Sequence, residues 1–287
     1  MFAGYDLTIA TLLRLYPWRV ALTWLMVLGE TVFMALVPLF IGFAIDGLTE
    51  DRLAEFWQLA GLLALLIGLS VLRRVYDTRV YGTIRADFGK VQVERGSNVP
   101  VSALNARLGM GRELVEFLEE TLPMVMAGVV QLAIALVVLY AFAPLLAISA
   151  GIGAAGSAGI YILFHGRFYR LNRALNQQSE KQVRVLELRS ARPVLTHLLR
   201  LRRFEVRLSD SEALLYGLVF LLLLISILFN LWYATAVIVV SSGAIFSIVS
   251  YSWDVVEGTL TLPMTLQNWT RLSEIMRRLN APIVSAS

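Results

Sequence analysis

Few side chains in this sequence are equipped for chemistry, and the most conspicuous ones sit where charge is expensive. Glu30 lies inside an apolar run, about ten residues or roughly 15 Å past its start by helix rise, with no basic residue three or four positions away. A carboxyl there is either protonated and hydrogen-bonded to a neighbouring helix, or it lines a polar pathway. Asp254 and Glu257 are spaced i and i+3 on one helical face at the inner end of the last apolar run, where they either line a cavity or sit at the cytoplasmic interface. Ser241, Ser247 and Ser250 share a stripe of the same helix and add hydroxyls that could line a polar pathway. Serines in apolar helices also bond their own backbone, so hydroxyls alone do not define a path. Glu30, Ser247, Ser250, Asp254 and Glu257 are the candidate substrate-pathway residues, and the chemistry they offer is binding of cationic or amphipathic solutes or carriage of protons.

Other chemistries are excluded. The chain has no cysteine, and its two histidines, His165 and His197, are more than thirty residues apart. No metal site follows from them. A phosphate-binding loop needs G-x-x-x-x-G-K-[ST]. Lys90 follows Gly89, but Val91 takes the hydroxyl position and no glycine stands five residues before Gly89; Lys181 has no such context. The glycine pair "GMG" (109–111) reads as a bend between charged helices. No catalytic residue and no cofactor are expected, and the chain by itself is not an ATPase.

The elements that position these residues belong in a bilayer. Hydrophobic residues make up 57% of the sequence and charged residues 16%, with a mean hydropathy of +0.69. Soluble domains carry about 45–50% apolar and about 25% charged residues. Apolar runs of about 20 residues fall at 21–44, 54–72, 124–142, 145–164, 214–231 and 234–251. "AFAP" separates the third from the fourth and "NLWYA" the fifth from the sixth, so each pair is a helical hairpin. Of the 25 lysines and arginines, all but Arg52 lie on one side of this arrangement. The positive-inside rule makes that side cytoplasmic, both termini included. Residues 1–18 form an interfacial lead-in and 258–280 a cytoplasmic run-out of the sixth helix. The expected fold is all-α: a polytopic membrane protein with six transmembrane helices in one domain over 1–287.

The two inner connections, 73–120 and 165–211, are long and periodic. Val80, Ile84, Phe88 and Val91 recur at steps of three and four, as do Leu171, Leu175, Val183 and Leu186, with Leu188 beyond them. Helices therefore continue out of the second and fourth spans and reverse at the breakers "GSNVP" (96–100) and "SARP" (190–193). The basic stretch "HLLRLRRFEVR" (197–207), with Arg200, Arg203 and Arg207 on one stripe, is read as a partner for the acidic "ELVEFLEE" (113–120) in preference to a lipid-facing stripe, and not as a nucleic-acid surface. Gly151, Ala155 and Gly159, at intervals of four, form a stripe where helix backbones can approach closely.

Six spans, short outer turns and two long helical inner loops resemble the transmembrane domain of the ABC exporters, the type IV fold. "VPVSALNARLGMGRELVEFLEETLPMVMAG" (99–128) is similar to that family's first inner loop returning into the third span. "EKQVRVLELRSARPVLTHLLRLRRFEVRLSDSEALLYG" (180–217) is similar to the second loop entering the fifth. "SSGAIFSIVSYSWDVVEGTLTLPMTLQNWTRLSEIMRRL" (241–279) resembles the sixth span and its extension towards an ATPase. The resemblance implies coupling helices near 98–104 and 189–197, with Val99, Pro100, Val101 and Ser102 in the first and Ser190, Arg192, Pro193 and His197 in the second. It also implies a domain-swapped homodimer or heterodimer, contact with membrane lipids, and a bacterial inner-membrane location.

In such a system the ATPase sits on a separate chain, and this chain is the permease subunit working by alternating access. Two other classes fit the same residues: an ion-gradient-driven transporter using Glu30, and a membrane scaffold or assembly factor without transport. The amphipathic tail, with Trp269, Leu272, Ile275, Met276 and Leu279 on one face and Pro282 ending it, resembles the connector that leads into a nucleotide-binding domain.

Overall fold

Prolines and left-handed residues set the helix boundaries. The computed structural model describes residues 9–95 and 101–280, apart from the side chains of 262–280 and of a few residues flanking 96–100. The breaker at 96–100, with Val99 and Pro100, lies outside the described residues, as do Pro282 and the end of the tail; no side chain is described for Ser102. A short helix α1 (Ile9–Leu15) precedes α2 (Pro17–Thr49), which opens on Pro17 at its first turn. There the missing proline N–H is one the helix would leave unbonded anyway. Glu50 and Asp51 close α2, with Asp51 left-handed at φ 58°, and α3 (Ala54–Arg95) runs back. Next come α4 (Val101–Glu116) and, after a π turn at Phe117–Thr121, α5 (Leu122–Phe142). Ala143 alone separates α5 from α6 (Pro144–Ser179), again opened by a proline. After α7 (Gln182–Glu187), Arg189 adopts φ 45° and α8 (Ala191–Trp232) begins. A second π turn, Tyr233–Val237, extends α8, and α9 (Ser242–Asn280) completes the described chain.

The helix α4 runs straight through Gly109 and Gly111. No break in the helix falls there, and Gly111 serves packing: a Cβ on it would lie 2.5 Å from Phe88 Cε1. The turn expected at "NLWYA" is also displaced. The helix continues through Val237, and the chain turns at 238–241, with Val239 left-handed at φ 48°. The apolar stretch at 234–240 thus leaves the expected sixth span, and α9 inherits Asp254 and Glu257 instead. Among the described residues five helices are long and apolar enough to cross a membrane, and α9 is not one of them.

The chain divides into two compact units. The first comprises residues 1–138 and 239–287, and the second 139–238. In the first unit, α2 packs on α3 and α9, and α3 packs on α4. Its core gathers Leu12, Val20, Tyr81, Ile84, Phe88, Leu114 and Leu118 away from solvent. The stripe of Val80, Ile84, Phe88 and Val91 read from the sequence is therefore the buried face of α3. Within the second unit α6 and α8 pair along their length, tied by Ser149 Oγ to Ser226 Oγ at 3.0 Å and Gln178 Nε2 to His197 Nδ1 at 2.9 Å. Gly153 and Gly156 lie in that seam, with a Cβ on Gly153 reaching 3.4 Å from Leu223 Cδ2. Gly151 and Gly159 have open space where a Cβ would sit, so the stripe of Gly151, Ala155 and Gly159 lies outside the α6–α8 seam.

Candidate functional site

Glu30 faces α3. Its Oε1 accepts a hydrogen bond from Ser70 Oγ at 2.5 Å, and Arg73 Nε lies 2.5 Å from its Oε2. Arg73 also reaches Asp77, 3.7 Å away on the next turn of α3. One guanidinium thus sits between two carboxylates, and Glu30 is held by an ionic partner 43 residues away in sequence that no local spacing could reveal. The row continues down α3 at steps of four, through Tyr81 and Arg85. The Tyr81 hydroxyl donates to the Leu118 carbonyl at 3.1 Å, and Arg85 pairs with Glu119.

The π turn explains these last two contacts. Leu122 N–H bonds to the Phe117 carbonyl, one residue further back than in an α-helix. The next donor in that pattern would be Pro123, which has none. The Leu118 carbonyl is consequently free for Tyr81, and Glu119 is turned towards Arg85. Burial pushes the Glu119 carboxyl up from its ordinary range, with Arg85 opposing the shift and Glu120 adding to it. Of the acidic stretch 113–120, Glu119 therefore pairs with α3 and Glu116 pairs with Arg112 at 2.9 Å. Arg200, Arg203 and Arg207, the other partners expected for this stretch, belong to the second unit.

Asp254 stands twelve residues into α9, roughly 18 Å along the helix, and accepts a hydrogen bond from Gln131 Nε2 of α5 at 3.3 Å. Glu257 is exposed and accepts from Trp253 Nε1 at 3.0 Å. Ser247 is buried and donates to the carbonyls of Pro38 (3.0 Å) and Gly243 (3.1 Å). Tyr251 donates to the Ala35 carbonyl at 2.7 Å. Both α2 carbonyls lie within a turn of Pro38, whose missing N–H takes the helical donor from the Met34 carbonyl. Ser247 is thus engaged in joining α2 to α9, whereas Ser250 is half-buried. Glu30 and Asp254 make separate contacts, the first with α3 and the second with α5.

At the other end of the α2–α9 pair Asp46 caps α9. Its Oδ1 accepts from Gly243 N at 2.8 Å and its Oδ2 from Ser241 Oγ at 2.5 Å. Ser241 lies ahead of α9, not in its stripe, and its Oγ accepts from Ala244 N at 3.2 Å. Gly42 and Gly243 allow the backbones to meet, since a Cβ on Gly42 would lie 2.5 Å from the Gly243 carbonyl oxygen. Composition gave no sign of this contact, because two glycines two hundred residues apart have no pattern to share.

The residues expected in coupling helices lie in two places. Val101 is exposed at the first position of α4. Ser190, Arg192 and Pro193 stand at the start of α8, while His197 is buried against Gln178. The separate short helix is α7, one turn earlier in the chain. Val183, Leu186 and Leu188 on and after it are 67%, 52% and 61% exposed. Among the described residues no group of histidine and carboxylate side chains could hold a metal ion.

No curated protein matches the chain. The profile of the ABC transporter transmembrane region matches residues 9–243, from α1 into the first turn of α9. With its apolar helices long enough to cross a bilayer, this integral membrane chain belongs to the family of ABC transporter transmembrane regions.

Proposed function

We propose that the chain is the membrane-spanning subunit of an exporter-like transport system that works by alternating access and takes its ATPase from another chain. The observation that carries this reading is the family match over 9–243. Two further features support it. The α6–α8 pair forms a compact unit of its own, as a hairpin exchanged between two copies or two related subunits requires. Its end bears exposed apolar side chains at Val183, Leu186 and Leu188, a surface suited to a partner rather than to water. In this reading the inner loops and both termini face the cytoplasm, α9 is the sixth span, and Asp254 and Glu257 line the solute path.

Ion-gradient drive through Glu30 has less support, because both of its carboxylate oxygens are already engaged, one by Ser70 and the other by Arg73. Affinity purification of the full chain from its native membrane tests the proposal. A co-purifying ATPase, lost on the double substitution Val183→Glu/Leu186→Glu, is the expected result. Recovery of the chain without any ATPase, across mild detergents, would overturn it.

A further inference from the structure

Charge is distributed unevenly between the two units. Residues 139–238 contain eleven arginines and lysines against five acids. Among the described residues all ion pairs lie within the other unit, and Arg170, Arg173, Arg200, Arg203 and Arg207 are exposed, with no acidic partner inside their own unit. Their placement is ordered. The bonds Ser149–Ser226 and Gln178–His197 bracket them on the antiparallel pair and fix its register. Arg170 of α6 then comes to about the level of Arg207 of α8, and Arg173 to about that of Arg203. At about 100° per residue, Arg170 stands roughly a quarter turn from the seam residues Ser149, Gly153 and Gln178. Arg200 and Arg207 stand roughly a quarter turn from His197 and Ser226 in the same rotational sense. In an antiparallel pair equal rotations emerge on the same side, so both rows share one face of the hairpin.

Seven residues further along each helix, about 10 Å by helix rise, the same face changes character. Leu163 is 81% exposed and Leu214 51%. They too are level with each other and lie on the arginine side. A face that passes from bare guanidinium groups to bare aliphatic surface within two helical turns matches a molecule with phosphate at one end and hydrocarbon at the other. An acidic protein or a nucleic acid would satisfy the arginines and leave the leucines uncovered.

We propose that this face of the α6–α8 pair binds an anionic phospholipid, its phosphate held by Arg170, Arg203 and Arg207 and its acyl chains lying on Leu163 and Leu214. Guanidinium suits the role, because its planar fork donates two parallel hydrogen bonds to one phosphate.

The test reconstitutes the full chain in bilayers of phosphatidylcholine and phosphatidylglycerol in equal amounts, extracts it in mild detergent and measures the lipid ratio that stays bound. The wild type is expected to retain phosphatidylglycerol in several-fold excess over the bulk ratio. Each juxtamembrane arginine is worth about fivefold in attraction to anionic lipid, so Arg170→Gln/Arg203→Gln/Arg207→Gln should bring the excess close to the bulk ratio. The control Arg184→Gln/Arg189→Gln/Arg192→Gln removes the same charge from the far end of the hairpin and should keep the excess. Leu163→Ser/Leu214→Ser should reduce it with no change of charge. Soluble glycerol phosphate at millimolar concentration should not compete. Bulk-ratio retention by the wild type, equal loss in the control, or competition by glycerol phosphate would each overturn the proposal. If the arginine-to-glutamine variant fails to fold, the leucine pair and the wild-type ratio still decide it.

Discussion

Arg73 lies between Glu30 and Asp77, and removing it should do more damage than removing either acid. Its side chain is 29% exposed and that of Glu30 22%, so the pair is shielded from water only in part. At an effective dielectric of about 20, unit charges about 4 Å apart attract by about 4 kcal/mol. Desolvation and residual exposure offset half or more of that, leaving a coupling of about 1.5–2 kcal/mol. Glu30→Gln keeps a hydrogen-bonding shape and leaves Arg73 with Asp77 at 3.7 Å, so a loss of about 1 kcal/mol is expected. Arg73→Met leaves two carboxylates without their shared cation, for a loss of about 3 kcal/mol. The double variant should be less unstable than the sum of the singles by the coupling energy. Equilibrium unfolding in mixed micelles, followed by tryptophan fluorescence, measures all three. Additive losses, or a larger loss for Glu30→Gln than for Arg73→Met, would refute the reasoning. Transport by Glu30→Gln supplies a separate readout: it persists if ATP on a partner chain drives the cycle, and it disappears if protons on Glu30 do.

Further outcomes follow from the same contacts. Tyr81→Phe should lose about 1–2 kcal/mol in the same assay, because the Leu118 carbonyl in the π turn would be left buried without a donor. Gly42→Ala should lose about 1–3 kcal/mol, since the added Cβ meets a backbone carbonyl that cannot swing away; a neutral result would mean the α2–α9 approach is looser than described. Asp46→Ala, which uncaps α9, is expected to lose about 1 kcal/mol, and Asp46→Asn should recover most of it. Arg85→Met should lower the melting temperature most at neutral pH and progressively less on acidification. Burial already holds the Glu119 carboxyl above its ordinary range, so protonation favours the folded state and removes the charge that Arg85 otherwise balances; a deficit that is flat with pH would count against this.

The bilayer-crossing helices and the hairpin at Ala143 were legible because they depend on local sequence: runs of apolar residues, prolines that open helices, and a repeat of three and four along α3. The turn before α9 was misplaced because residues 234–240 are apolar enough to belong to either helix. Only the π turn carries 234–237 on from α8, and the left-handed Val239 puts 238–240 in the turn. Arg73 was legible as a residue of the inner loop but not as the partner of Glu30, since a contact between two antiparallel helices depends on register. The same limit hid Gln131 beside Asp254 and Asp46 beside Gly243. Ser247 could be chosen as polar in an apolar helix, but its commitment to the carbonyl of Pro38 is visible only once α2 and α9 are side by side. Leucines and valines on α7 gave the right periodicity but not their exposure, because nothing in a helical repeat says whether another molecule covers it.

The π turn at Phe117–Thr121 makes one rod of everything from Val101 to Phe142 while inserting a single extra residue in it. Each residue beyond the insertion is rotated by about 100° relative to an unbroken α-helix. The rod therefore offers α3 one set of side chains below the turn and presents a differently phased set above it, where Gln131 meets Asp254. A one-residue deletion at Thr121 would be a twist rather than a gap: it would leave the lower packing intact and carry Gln131 away from Asp254 by more than a quarter of a revolution.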